Sequence, residues 1–300
     1  MACQCNVGLN NTGVPGCVPI QSVTKSLILV PIKANDGSYN GVEDTDVLNE
    51  AYFTALINNA DASKRWFPLP EMENIEQPKA DSQFEESASG RKAFLREGVR
   101  SFAGEMWDHD SSPQLLSKLK GSRCVEFGFY SVDVDGNLMG LKVGTQLRPI
   151  PVDNASFDPK LAFTTDSTVQ KIMIGFDWSR NVDEGNLWLI TSVEGGVDFG
   201  SLTGLIDVTL VGTSGATTTS LVGTLSFGTF MERTKYAGAD LVADWSIYNN
   251  TTLASVTIDT VVESPSGTYA LAHATGITAS DSYTVTVTKD GFSGSVDLVA

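Results

Sequence analysis

Apolar and polar positions alternate along this chain in a way that marks out its elements. Residues 22–33 (SVTKSLILVPIK) are almost continuously apolar at their centre, the pattern of a strand buried on both faces. Residues 46–58 (DVLNEAYFTALIN) place Leu48, Ala51 or Tyr52, Ala55 and Leu56 on one helical face, with Asp44 or Thr45 set to cap the helix. Residues 64–70 (KRWFPLP) predict a short strand broken by Pro68 and Pro70, and residues 71–83 an acidic, irregular excursion. Residues 79–87 (KADSQFEES) are polar and extended, and residues 88–90 turn the chain back. In residues 91–107 the apolar residues Phe94, Phe102 and Met106 fall on even positions, the period of a half-buried strand, interrupted at Gly98 and Gly104.

A short helix is predicted over residues 113–120 (PQLLSKLK), with Pro113 in its first turn, Ser111 or Ser112 as cap and Gly121 at its end. Residues 124–134 and 137–143 are apolar, β-rich runs around Asp135-Gly136, a pair that favours a two-residue type I′ hairpin. Residues 144–161 hold Pro149, Pro151 and Pro159 and predict a loop. Strands follow over 169–178 and 186–193, joined by a turn at 183–186.

The texture changes near residues 195–200 (GGVDFG), where Ser, Thr, Gly and Val begin to dominate. Residues 205–211 put Ile206, Val208 and Leu210 on one face. Residues 255–262 do the same with Val256, Ile258 and Val262, and 283–288 alternate Tyr283, Val285 and Val287 with threonines. Further strands fall at 244–247, with Trp245 as the core aromatic, and at 295–299. About seven short strands in a hundred residues predict an immunoglobulin-like β-sandwich, without the inter-sheet disulfide because the region has no cysteine. The fold class expected is therefore mainly β: a β-sandwich or barrel with one or two short helices over residues 1–199, then the immunoglobulin-like sandwich over residues 200–300.

The formal net charge of −16, with −6 in residues 200–300 and −10 before them, excludes a module that grips nucleic acid through clustered Lys and Arg. It allows a surface that DNA passes without sticking. Cys3, Cys5 and Cys17 sit in a Gly- and Asn-rich arm (residues 1–19) and lack zinc spacing; the histidines, His109 and His273, are far away. Free thiols in a reducing compartment are the expectation. The start has no signal-peptide pattern, and no apolar run approaches the ~20 residues of a membrane span.

Candidate chemistry is sparse. Asp133-Val134-Asp135-Gly136-Asn137 resembles the start of a calcium loop, but position 12 is Gly144 and the flanks are strands, so a plain turn is expected. No phosphate-loop or G-x-S-x-G motif occurs, and a carboxylate pair such as Glu85 with Glu97 has nothing to bring it together. The expectation is no enzyme, no cofactor, and no catalytic, cofactor-binding or metal site.

In order and texture the chain resembles tail tube proteins of long-tailed bacteriophages, most of all those of phages infecting Bacteroidota. The likeness is carried by residues 1–17 (MACQCNVGLNNTGVPGC), 65–70 (RWFPLP), 89–102 (SGRKAFLREGVRSF), 132–140 (VDVDGNLMG) and 252–270, ending SGTYA. The resemblance implies a virion structural protein located in the tail and assembled in the host bacterial cytoplasm. It implies a homo-oligomer of stacked hexameric rings that contacts other tail proteins and passes genomic DNA through its lumen without specific binding. It further implies an outward immunoglobulin-like domain within reach of host-surface glycans. The alternatives are another virion part (capsid, head-decoration or tail terminator protein) or a carbohydrate-binding adhesin with an immunoglobulin-like domain. Residues 1–19 and 71–86, too polar and irregular to hold themselves, are expected to be intersubunit arms, with Val7, Leu9, Val14, Val18 and Phe84 as anchors.

Overall fold

The computed structural model describes residues 18–59, 61–107, 110–215, 217–228, 233–273, 277–289 and 291–300. The chain is mainly β. Its first part opens with β1 (Thr24–Pro31), β2 (Val42–Glu43), α1 (Glu50–Ile57), β3 (Phe67–Pro68) and β4 (Glu73–Glu76). Then come β5 (Gln83–Glu86), β6 (Lys92–Arg96), β7 (Ser101–Trp107), α2 (Pro113–Gly121), β8 (Phe127–Asp133) and β9 (Leu138–Val143). It continues through β10 (Gln146–Arg148), β11 (Ile150–Pro151), β12 (Lys160–Ala162), β13 (Lys171–Asp177), β14 (Leu187–Ile190) and α3 (Ser192–Gly195).

β1 and β8 pair along their whole length at the centre of one sheet ordered β2-β10-β9-β8-β1-β3, with β11 added to β8 and β14 to β9. Both central strands are buried on both faces, as the continuous apolar run of β1 requires. One face packs Leu27, Leu29, Phe127 and Phe129 against Phe102, Ile174 and Phe176 of a second sheet, ordered β12-β13-β7-β4. The other face packs Ile28, Val30, Tyr130 and Val132 against Phe53, Trp66 and Phe199. There Trp66 stacks on Tyr130 with ring centroids 4.7 Å apart. Each such fully buried aromatic side chain contributes about 1.5–3 kcal/mol of apolar burial.

Several local expectations are corrected. α1 starts at Glu50 because Asn49, not Asp44 or Thr45, accepts the Tyr52 N–H, while Asp46 is occupied by the Glu43 N–H and the Tyr52 hydroxyl. Its buried residues are Phe53 and Ile57; Ala51 and Ala55 face outward. Residues 91–107 are two strands, not one, and Phe94 is exposed. The hairpin at Asp135-Gly136 is not type I′, since only Gly136 takes positive φ (+74°). Asp133 N–H donates to Asn137 O and Gly136 N–H to Asp133 O, the pattern of a three-residue loop closed by a glycine bulge. The proline-rich 144–161 stretch contributes three short strands, and residues 192–193, the end of the expected 186–193 strand, instead begin the short helix α3.

The second part contains β15 (Ile206–Ser214), β16 (Thr218–Gly228), β17 (Arg233–Lys235), β18 (Trp245–Asn249), β19 (Ala254–Val256), β20 (Thr260–Glu263), β21 (Thr268–Ala272), β22 (Ser282–Lys289) and β23 (Phe292–Val299). One layer runs β15-β16-β21-β20, with β17 on β16, and the other runs β19-β18-β22-β23. β15 joins both, pairing parallel with β23 at Ile206 and Asp207 before turning onto β16. This is the strand order of an immunoglobulin-like sandwich. Trp245 lies in its core, where its indole N–H donates to Ala239 O. The Tyr283 hydroxyl accepts the Thr278 N–H at 2.6 Å, the tyrosine corner of such folds. Residues 255–262 are not one strand. The chain crosses from β19 in one layer to β20 in the other, so Val256 and Ile258 are buried and Val262 is exposed. Ile206 is likewise exposed, because it lies where β15 passes between layers.

The buried side chains fall into clusters that do not mix these two parts. Val197, Leu202 and Leu205 pack on the first part, and the second core begins at Val208.

Candidate assembly surface

Between β4 and β7 the chain leaves the second sheet as a two-stranded arm. Its root is built tightly. Ala80 N–H donates to Val99 O and Ser101 N–H to Pro78 O. Gly98 approaches the Ala80 carbonyl so closely that a Cβ there would lie 1.6 Å from the oxygen, so only glycine fits. Arg100 donates to Glu184 from Nε at 2.9 Å and from Nη2 at 3.3 Å, and from Nη1 to Gln77 O at 2.8 Å. Lys79 adds ion pairs to Glu184 at 3.3 Å and Glu97 at 3.4 Å. The Arg100 hydrogen bond is the largest cause that holds the Glu184 carboxyl below its ordinary pKa.

The outer half of the arm is bare. β5 and β6 pair with each other alone, and every residue of both strands is exposed. Phe84 and Phe94 stand opposite each other, edge to face, with centroids 5.7 Å apart. They are 56% and 58% exposed, and Leu95 is 56% exposed, so the arm carries apolar side chains open to solvent. At the tip Ser87 N–H donates to Arg91 O and Gly90, at positive φ, donates to Ser87 O, repeating the three-residue loop at Asp133–Asn137. A lone two-stranded hairpin is marginal in water, so the clamped root is what holds this one out.

A second feature lies at the other end of β1. A groove of about 630 Å³ opens between the β3 edge and α2. Its apolar lining includes Leu29, Phe67, Leu115, Leu119, Val125 and Phe127. α2 is held there by Ser112, which accepts the Leu115 N–H, and by Leu119, which enters the core. The Lys118–Asp207 ion pair closes the groove against the second part of the chain.

The residues singled out for chemistry do not converge. Asp133 is buried, and its carboxylate accepts from Ser22 N–H, Asp135 N–H, Asn137 N–H and the Asn137 side chain at 2.8–3.0 Å. Burial acts to raise its pKa, and these donors together outweigh it and leave the carboxyl lowered. This carboxylate organises a turn. Glu97 pairs with Lys79, and Glu85 stands on the exposed β5. His273 is buried beside Thr219. His109 and Cys3, Cys5 and Cys17 lie outside the described residues, as does nearly all of the arm at residues 1–19; Cys124 is an exposed free thiol. Among the described residues no three His, Cys, Asp or Glu side chains are grouped to hold a metal ion, and no helix is long and apolar enough to cross a membrane.

The 71–86 excursion, expected to be one irregular arm, is not irregular throughout: Glu73–Glu76 form β4 in the second sheet. Sequence reasoning placed Phe84 on an arm but buried Phe94. The usable signal was the Ser-Gly turn at residues 89–90 between two short runs of matched length. No protein-family model matches the chain, and no curated protein sequence matches it.

Proposed function

We propose that this chain is a self-assembling structural subunit, a virion tail tube protein whose copies form stacked, hexameric rings around a passage for DNA. The observation that carries the reading is the arm of β5 and β6, clamped at its root and carrying exposed apolar side chains on its bare strands. Such a device has a use where a partner copy is always present, since exposed aromatics on a marginal hairpin otherwise invite aggregation. The net charge of −16 supports a lumen that repels the DNA backbone. The longest helix among the described residues, α2, has nine residues, which disfavours the spine helix of a capsid subunit. In this reading residues 1–199 form the tube and residues 200–300 decorate it, and the protein works in the virion tail with other tail proteins after assembly in the host bacterial cytoplasm.

The test is negative-stain microscopy of the concentrated, purified protein. Tubes or rings of constant width are expected. Monodisperse single subunits at every concentration would sink the reading.

A second reading, a carbohydrate-binding adhesin, draws on the outer face of β18, β22 and β23. There Tyr248 lies opposite Thr284, which donates to Asp297 at 2.6 Å and accepts from Asn250 at 2.9 Å. An aromatic ring beside fixed hydroxyl, amide and carboxylate groups is a surface suited to a sugar. A glycan array with the monomeric protein separates this reading from the first.

A further inference from the structure

We propose that the outer half of the arm, through Phe84, Phe94 and Leu95, seats in the groove between β3 and α2 of a second copy, so that copies join head to tail. This rests on the self-assembly reading and names the two surfaces that meet.

The argument starts from where the surfaces lie. β1 spans about 25 Å. The chain runs antiparallel beside it, from Phe67 against Leu29 to Met72, whose N–H donates to Lys25 O. It then passes through β4 and into the arm. Groove and arm therefore stand at opposite ends of one nearly extended run. The arm cannot fold back into its own groove without breaking the Glu73–Glu105 and Glu76–Ala103 pairing of β4 with β7. Only another copy brings a groove to this arm.

The two surfaces also match in chemistry. The groove is apolar, and its size lies in the range of roughly 300–1,000 Å³ that accommodates a substantial buried group. The charged residues along it are Lys33, Arg65, Lys118 and Asp207, three cations in a strongly acidic chain. Lys118 pairs with Asp207, which leaves Lys33 and Arg65 without an ion pair among the described residues. On the arm Glu85 and Glu86 follow Phe84 directly; Glu86 pairs across the hairpin with Lys92 at 3.7 Å, and Glu85 has no ion pair among the described residues. Seating Phe84 brings the Glu85 carboxylate to the cationic rim.

The two surfaces differ, so the contact is heterologous. Each copy that uses its arm still offers a groove, and each that fills its groove still offers an arm. Association then proceeds until it closes or extends indefinitely.

The test uses two full-length variants with complementary defects. One carries Phe84→Ser with Phe94→Ser, leaving the groove intact. The other carries Val125→Glu, an exposed groove position, leaving the arm intact; Phe67→Ser serves as a second groove variant. Circular dichroism and melting establish that each variant is folded. In sedimentation velocity the wild type is expected to assemble and each variant alone to associate at least tenfold more weakly. An equimolar mixture of the arm variant and a groove variant is expected to form a heterocomplex that neither variant forms alone, because the intact arm of one meets the intact groove of the other. If the wild type assembles and the variants assemble equally well, the docking is wrong and the self-assembly reading stands. If the groove variants alone dimerise while the arm variant does not, arms pair with arms and the docking is wrong. A wild type that stays monomeric at its highest soluble concentration overturns both.

Discussion

Arg100 and Glu184 lie 84 positions apart and meet through two hydrogen bonds, at 2.9 and 3.3 Å. Their contact ties the strand leaving the arm to the loop before β14. Both side chains keep about 30% of their exposure, so solvent screens the pair and its contribution is about 1 kcal/mol. Arg100→Ala is expected to leave the two cores folded and to loosen the arm. Hydrogen exchange at residues 78–101 should quicken while β1 and β8 stay protected. Because the folded pKa of Glu184 is lowered, its contribution is present above the unfolded value and is lost as pH falls through the folded one. Uniform exchange across the first part in the variant would show that the pair does not act on the arm.

Asp133 is expected to matter for stability and not for metal binding. Asp133→Ala strands three backbone N–H groups, those of Ser22, Asp135 and Asn137, and should cost about 3 kcal/mol. Calcium or a chelator should leave the melting temperature of the wild type unchanged. A rise in melting temperature with calcium would reverse the assignment of this loop.

Residues 204–300 are expected to fold without the rest of the chain, since the second core starts at Val208 and shares no buried residue with the first. A cooperative urea transition of this fragment is the readout; a molten fragment would mean that the Lys118–Asp207 side of the interface is structurally required.

Tyr283→Phe removes the acceptor of the Thr278 N–H and should lower the stability of that transition by about 1–2 kcal/mol. An unchanged midpoint would reduce the tyrosine corner to a packing contact.

His273 is buried, with Nε2 3.2 Å from the Thr219 hydroxyl and Nδ1 without a hydrogen-bond partner among the described residues. Burial holds its pKa below the ordinary 6.5, against the opposing effects of its backbone and of Asp259. The unfolded chain therefore binds the proton first. Stability is full above about pH 6.5 and falls as pH drops below it, by up to ~1.4 kcal/mol per pH unit, until the lowered folded pKa is passed. Urea titrations between pH 7.5 and 5 should show this slope in the wild type and lose it in His273→Asn. Equal slopes in both proteins would place the acid sensitivity elsewhere.

The local pattern settled what depends on neighbours in sequence. The continuous apolar centre of β1 made a strand covered on both faces, and the alternation of Tyr283, Val285 and Val287 made a strand with one buried face. The lone tryptophan of the second part, Trp245, entered its core, since so large an apolar surface has few other places to go. Tertiary contacts decided the rest. Phe94 has the same spacing as Phe102 and Met106, yet it is exposed, because Gly98 against Ala80 breaks the strand and sends its outer half beyond the sheet. Val256 and Val262 share a parity, yet one is buried and the other exposed, because the chain changes layers between them. Asn49 displaced Asp44 and Thr45 as the helix cap once Asp46 was taken by the Tyr52 hydroxyl. The arm and the groove belong to this second kind. The groove is assembled from segments distant in sequence, the arm is a contiguous hairpin held out by a residue as distant as Glu184, and their placement at opposite ends of β1 follows from strand pairing, which periodicity in one segment does not encode.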